Sequence, residues 1–397
     1  MGNIKTLAAA VTLSVLATAC GGGGGGGGGG SSGGGSSSTG TGTTTTGTSN
    51  GQTLLAQYVV PASIAAAVVT NYSGPAFNVG NSGMQSACSG TVSSTVVDAP
   101  DVIVFSTNGA SLKAQEVAAD LFEQAVPQIR TALGLSASGV AFDGTNKVQL
   151  CVDTALGQSS GETGTSLEGQ TNLGSPGPVI QIMSADSANF DARYPGATSY
   201  TSPVGQSYGS LFVHEGTHAA LYSLSEPFGG METWFQEGMA TTVAQQPMGS
   251  KTSILTLVQG TDVLSTTNLN TNMDAYPAYE ATVQYLTSSA AGGLGYGLTN
   301  IPTFIAAYKA AAMAACAQPI PNGIIPPASQ TQGMPSGDYN VCVGGAGSID
   351  TRVQAAFDTA FNSTFKDSNG SPLLLHTADG ANSLEATLYQ RLSAFLP

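Results

Sequence analysis

Positive charge is scarce in this chain. Lys and Arg together number 10 against 24 Asp and Glu, which leaves a formal net charge of −14 over 397 residues. So few cations form no basic stripe for a phosphate backbone or an anionic membrane surface. Nucleic acid is therefore excluded as an expected partner. Membrane-spanning runs are missing as well. Leu7–Leu16 is too short to cross a bilayer, and the apolar run at 301–317 is interrupted by Pro302 and Lys309. Histidine is rarer still, at three residues, and cysteine is limited to five.

What is abundant is glycine, and much of it lies at the beginning. Residues 1–20 have the layout of an export signal: Lys5, a short apolar run, then Ala17-Thr18-Ala19-Cys20. That last stretch resembles a bacterial lipobox with Ala17 where Leu is usual, and it also fits an A-x-A site for ordinary signal peptidase. Cysteine arithmetic favours the lipobox, because giving Cys20 to a lipid leaves an even four. The expectation is an exported protein, lipid-anchored in the bacterial cell envelope at the outer membrane or cell surface. Residues 21–52 are nearly all Gly, Ser and Thr, opening with ten consecutive glycines. Such a segment cannot bury apolar surface and reads as a flexible tether of about 30 Å root-mean-square reach. No strand precedes the glycines and no helix follows them, so they are not a phosphate-binding loop.

Two of the three histidines fall in one motif, His214-Glu215-Gly216-Thr217-His218. On a helix, residues four apart share a face, so His214 and His218 can turn two imidazoles to one metal ion. Glu215 lies beside them, placed to take a proton from a water without being a ligand. Zinc then needs a third protein ligand and one open position. Glu237 is the natural candidate. Eighteen residues separate it from His218, and it lies in Trp234-Phe235-Gln236-Glu237-Gly238-Met239-Ala240.

This two-part pattern resembles the gluzincin zinc metallopeptidases of the peptidase MA-like superfamily. The resemblance implies His214, His218 and Glu237 as ligands of one Zn2+ per chain, Glu215 as general base, and a peptide or protein as substrate. The spacing is closer to the aminopeptidase N branch than to the thermolysin branch. Thermolysin-like members carry an Asp four residues after the third ligand, where this chain has Thr241. Gluzincins also carry a tyrosine that stabilises the oxyanion. The Tyr-Leu pair at 285–286, nine residues after Tyr276, favours Tyr276 for that role, with Tyr279 as the alternative. Gly230-Met231-Glu232-Thr233 is similar to an aminopeptidase amine-binding motif, but it lies on the wrong side of the metal helix, so Glu232 is read as a helix-start acid. A second reading of the chain is a surface-tethered binding or adhesion module that keeps a zinc site without turnover.

The rest of the chain predicts an α+β fold. Residues 53–96 form an N-terminal lead-in, and residues 97–397 a zincin-like domain with a small mixed sheet, metal-site helices and a mostly helical C-terminal lobe. Strands are expected at Val102–Ser106, Lys147–Val152 and Pro178–Met183. Residues 157–177 read as a loop. By the same resemblance, Val179–Met183 is a candidate for the edge strand that binds substrate backbone, with a plain core strand as the equal alternative. Lys113–Leu133 has apolar residues at helical spacing, a stop at Gly134, and Pro127 expected to kink it. The metal helix is expected from Ser207 or Ser210 to about Ser223, with Gly216 costing it about 1 kcal/mol relative to Ala. His376 stands alone among polar residues and reads as a surface residue. Four cysteines allow three pairings. Cys88–Cys151 and Cys316–Cys342 are favoured, the second closing the Pro/Gly-rich excursion 317–341.

Overall fold

The computed structural model describes residues 49–74, 77, 94–156, 164–167, 178–199, 208–226, 228, 231–247, 249–265, 275–318 and 351–397, with backbone alone for 164–167 and Thr351. The fold is α+β. A six-stranded sheet is followed by a helical C-terminal region, and one core runs through both.

The chain enters through helices α1 (Asn50–Gln57) and α2 (Ala62–Ala66), then strand β1 (Val68–Thr70). Strands β2 (Thr95–Asp98) and β3 (Val102–Thr107) follow, so the residues before 97 build part of the sheet. Helix α3 (Leu112–Leu133) crosses to β4 (Val148–Asp153). Then come β5 (Gly164–Leu167), β6 (Val179–Met183) and a short helix α4 (Phe190–Arg193). The sheet order is β1-β2-β3-β4-β6-β5. The pairs β3/β4 and β4/β6 are parallel, and the other three are antiparallel.

The order corrects one expectation. Val179–Met183 is an inner strand, paired on both sides, and the edge position belongs to Gly164–Leu167. The short polar sequence GTSL carries no alternating apolar signal, so it read as loop. Its strand character comes from pairing with β6. All five residues of β6 and all six of β4 are buried, as parallel strands covered on both faces must be. Val104, Leu150, Val152, Ile180 and Ile182 face the main core, and Phe105, Cys151 and Val179 face a smaller cluster on the other side.

Helix α3 buries Val117, Leu121, Phe122, Ala125, Ile129 and Leu133, the face its periodicity predicts. Ser111 caps its start by accepting from the Ala114 amide at 3.2 Å. Gly134 ends it with a φ of 64°, a conformation that costs glycine little. Pro127 lies on the exposed side, and the helix runs through it as one element.

Against α3 lies α5 (Tyr208–Ser225), whose side chains are buried nearly all round. Such a helix sits inside a domain, not on its surface. It is wedged among α3, β5, α6 (Thr233–Val243) and α9 (Ile301–Cys316), and the Tyr208 hydroxyl donates to the Met183 carbonyl at 2.5 Å. After α6 come α7 (Lys251–Gly260) and α8 (Tyr276–Thr287), and beyond α9 are α10 (Thr351–Thr364) and α11 (Leu384–Phe395). An aromatic cluster clamps α6 to the C-terminal region. Trp234 meets Phe357 and Phe361 edge-on, and Phe235 packs on Phe304 and Phe357. No described helix is long and apolar enough to cross a membrane.

Candidate metal centre

Helix α5 carries His214, Glu215 and His218, and α6 carries Glu237. All four side chains are buried, at 0–4 % exposure, deep between the sheet-side helix α3 and the C-terminal helices. The helical period turns both histidines toward α6. The close approach of α5 to α3 that sets this angle falls at Gly216, where a Cβ would lie 2.7 Å from Ile129 Cδ1. Gly238 does the same on α6. A Cβ there would lie 2.6 Å from the Tyr279 carbonyl oxygen and 2.6 Å from Val283 Cγ2 of α8. The two glycines let four helices, α3, α5, α6 and α8, close around the site.

Three atoms then meet at one point. His214 Nε2 lies 3.2 Å from His218 Nε2 and 3.3 Å from Glu237 Oε2, and His218 Nε2 lies 3.4 Å from the same oxygen. For a tetrahedral shell with ligands at about 2.0–2.1 Å, neighbouring ligand atoms are separated by about 3.3–3.4 Å. The observed triangle has that size. Glu237 Oε2 is buried and accepts no hydrogen bond among the described residues. A carboxylate oxygen in that condition is costly without a cation. The triad can hold a metal ion.

Electrostatics tie the four residues together. Burial would raise the Glu237 carboxyl, but the charges of His218 and His214 beside it outweigh this and bring its pKa down to about 2. Burial would lower His218, yet Glu237 and then Glu215 outweigh it and raise it. Glu215 is therefore close enough to act on the site while standing outside the ligand triangle.

The partner that orients His214 is one that sequence reasoning did not find. Gln246 Oε1 lies 3.1 Å from His214 Nδ1. With the proton held on Nδ1, the Nε2 lone pair is free for an ion. Gln246 reaches back because Gln245 takes a left-handed φ of 52° where α6 ends. Nothing in the local pattern signals this. Thr241, at the position where thermolysin-like proteins place an acid, bonds its own helix, donating to the Glu237 carbonyl at 2.7 Å.

Both candidate tyrosines are buried on the first turn of α8, with ring centroids 6.0 Å apart. The Tyr279 hydroxyl lies within the field of the site. Burial, then the charge of Glu237, push it up to about 12. Cys151 and Cys316 are buried as well. Cys20, Cys88 and Cys342 lie outside the described residues.

His376 corrects its sequence reading. It is no surface residue; its side chain is 18 % exposed and pairs with Asp358 at 2.7 Å and Glu232 at 3.5 Å. The acids that surround it are 18 and 144 residues away in the chain (376 − 358 and 376 − 232), so its neighbours in sequence gave no sign of them. Glu232, in turn, is the N-cap of α6, but it makes no cap hydrogen bond.

No protein-family model matches this chain, and no curated protein sequence matches it.

Proposed function

We propose that this protein is a zinc-dependent metallopeptidase acting on peptide or protein substrates at the cell envelope. The observation that carries the proposal is the triangle of His214, His218 and Glu237 with Glu215 on the same helix. Two imidazoles and one carboxylate are the donor set of a catalytic zinc site with a position left open. A purely structural zinc would have four protein ligands and no use for a fifth, basic side chain beside it.

When bound, the ion supplies a Lewis acid that makes water acidic near neutral pH. The residues of the chain do the rest. Glu215 accepts the proton of the attacking water and later delivers it to the leaving amine. A tyrosine hydroxyl from the start of α8 donates to the oxyanion, Tyr276 by the resemblance and Tyr279 by its coupling to Glu237. Gln246 holds the His214 ring in the ligating tautomer. The antiparallel edge strand Gly164–Leu167 packs against α5, and its outer edge, unpaired among the described residues, is the place for an extended substrate backbone to pair. Placement at the envelope rests on residues 1–52 of the sequence, with Cys20 as lipid attachment site.

Glu215→Gln tests the proposal. Glutamine keeps the shape and loses the basicity, so zinc content should be unchanged while peptide cleavage falls by about 10²–10⁴-fold. Cleavage is read on a broad peptide library by mass spectrometry, with and without chelator. Undiminished cleavage by Glu215→Gln would refute the mechanism. Absence of any wild-type cleavage would put the zinc-bearing binding module in its place.

A further inference from the structure

A second convergence of ligand-type side chains lies outside the triad. It draws on four elements far apart in sequence. Glu232 precedes α6, Asp358 is on α10, His376 lies between α10 and α11, and Glu385 is in the first turn of α11. His376 Nδ1 meets Asp358 Oδ1 at 2.7 Å. On the other side of the ring, Nε2 lies 2.9 Å from the Leu264 carbonyl oxygen, 3.5 Å from Glu232 Oε1 and 3.7 Å from Glu385 Oε1.

Glu232 is the telling member. Its side chain is only 4 % exposed. Oε2 accepts from Trp234 Nε1, while Oε1, aimed at His376, has no hydrogen-bond partner among the described residues. The Thr377 hydroxyl beside it is also buried and unsatisfied. Leaving such oxygens unpaired away from water is unfavourable by about 1–3 kcal/mol each, more for a charged group. Three carboxylates around one imidazole also leave the group net negative even when the ring is protonated. A cavity of about 390 Å³ is lined in part by Leu264, Thr377 and Glu385.

We propose that this cluster is a second divalent-cation site. The ligands are His376 Nε2, Glu232 Oε1, Glu385 Oε1 and the Leu264 carbonyl, with Asp358 orienting the ring from Nδ1. The carboxylate–histidine–metal relay is the same as a ligating histidine ordinarily shows. Distances of 2.9–3.7 Å from Nε2 to the three oxygens bracket the separation expected in a zinc shell of about 3.3–3.4 Å. One imidazole with three oxygens suits zinc, whereas an all-oxygen set would suit calcium. Such an ion would pin the start of α6 to α10 and α11. Five residues later α6 delivers Glu237, so the second site would hold the frame of the first.

Without an ion the imidazole itself is the cation. Burial lowers its pKa, but the Asp358 hydrogen bond and the Glu232 charge outweigh this and push it up to about 9. Burial pushes the Glu232 carboxyl up to about 8.

The inference is independent of peptidase activity and is tested by counting metal. The full chain is stripped with chelator, reloaded with ZnCl2 and measured by mass spectrometry of the metal. Wild type should take up two zinc ions, His214→Ala one, His376→Ala one, and the double variant none. Glu385→Gln keeps the shape of a side chain that is 21 % exposed, and it should weaken the ion retained by His214→Ala at least tenfold with the fold intact by circular dichroism. A wild-type count of one, lost in His214→Ala, would overturn the proposal and leave His376 as a protonated clamp. So would unchanged affinity in Glu385→Gln.

Discussion

Replacing Gly238 by Ala probes the frame of the triad directly. Alanine in a helix interior is favoured over glycine by about 0.8–1.0 kcal/mol, so in isolation the change would strengthen α6. The added methyl has no room. It would stand 2.6 Å from the Tyr279 carbonyl oxygen, 2.9 Å from the Tyr279 carbonyl carbon and 2.6 Å from Val283 Cγ2. Two of these three atoms are backbone, which cannot rotate away, so α6 and α8 must separate. Overpacking of this kind costs about 1–3 kcal/mol, and backbone contact puts it in the upper part of that range. The net effect is a loss of about 1–2 kcal/mol, or about 1–4 °C in Tm for a body of this size. Glu237 is the preceding residue, so the variant should also hold zinc more weakly in competition with a chromogenic chelator. Two other glycines serve as controls in the same thermal unfolding experiment. At Gly216 the closest atom is the free end of Ile129, which can turn, so Gly216→Ala should stay within about 1 kcal/mol of wild type. At Gly260, the last residue of α7, nothing lies within 4 Å, and Gly260→Ala should stabilise by up to about 1 kcal/mol. A Gly238→Ala protein as stable as wild type would show that α6 and α8 are not in contact as described.

Three further outcomes are expected. His214→Ala, His218→Ala and Glu237→Ala should each abolish zinc binding at the triad, and retention in Glu237→Ala would mean another residue is the third ligand. Tyr276→Phe and Tyr279→Phe each remove one hydroxyl, and the one that serves the oxyanion should lose about 10²–10³ in rate while the other stays near wild type. Non-reducing peptide mapping of exported protein should link Cys88 to Cys151 and Cys316 to Cys342, and free thiols there would refute that pairing and weaken the lipid assignment of Cys20.

The sequence by itself determined what depends on local spacing. Two histidines four apart share a helix face whatever surrounds them, and Glu215 between them follows from the same geometry. The faces of α3, its stop at Gly134, and the inner strands β3, β4 and β6 are likewise set by periodicity and by backbone sterics within a few residues. Glu237 was reachable because it occurs at a family-like distance, but only the packing of α5 on α6 brings its oxygen to 3.3–3.4 Å from both rings. Everything decided by contact across the chain was invisible beforehand. Gly164–Leu167 is a strand because β6 pairs with it, and its own residues carry no pattern. Gln246 became the partner of His214 through a left-handed turn at Gln245 that no motif marks. His376 lost its surface reading because Glu232, Leu264, Asp358 and Glu385, spread over some 150 residues, fold onto one ring. Side-chain periodicity reports which way a residue faces. What it faces is set by burial of the whole core, and only the tertiary structure decides that.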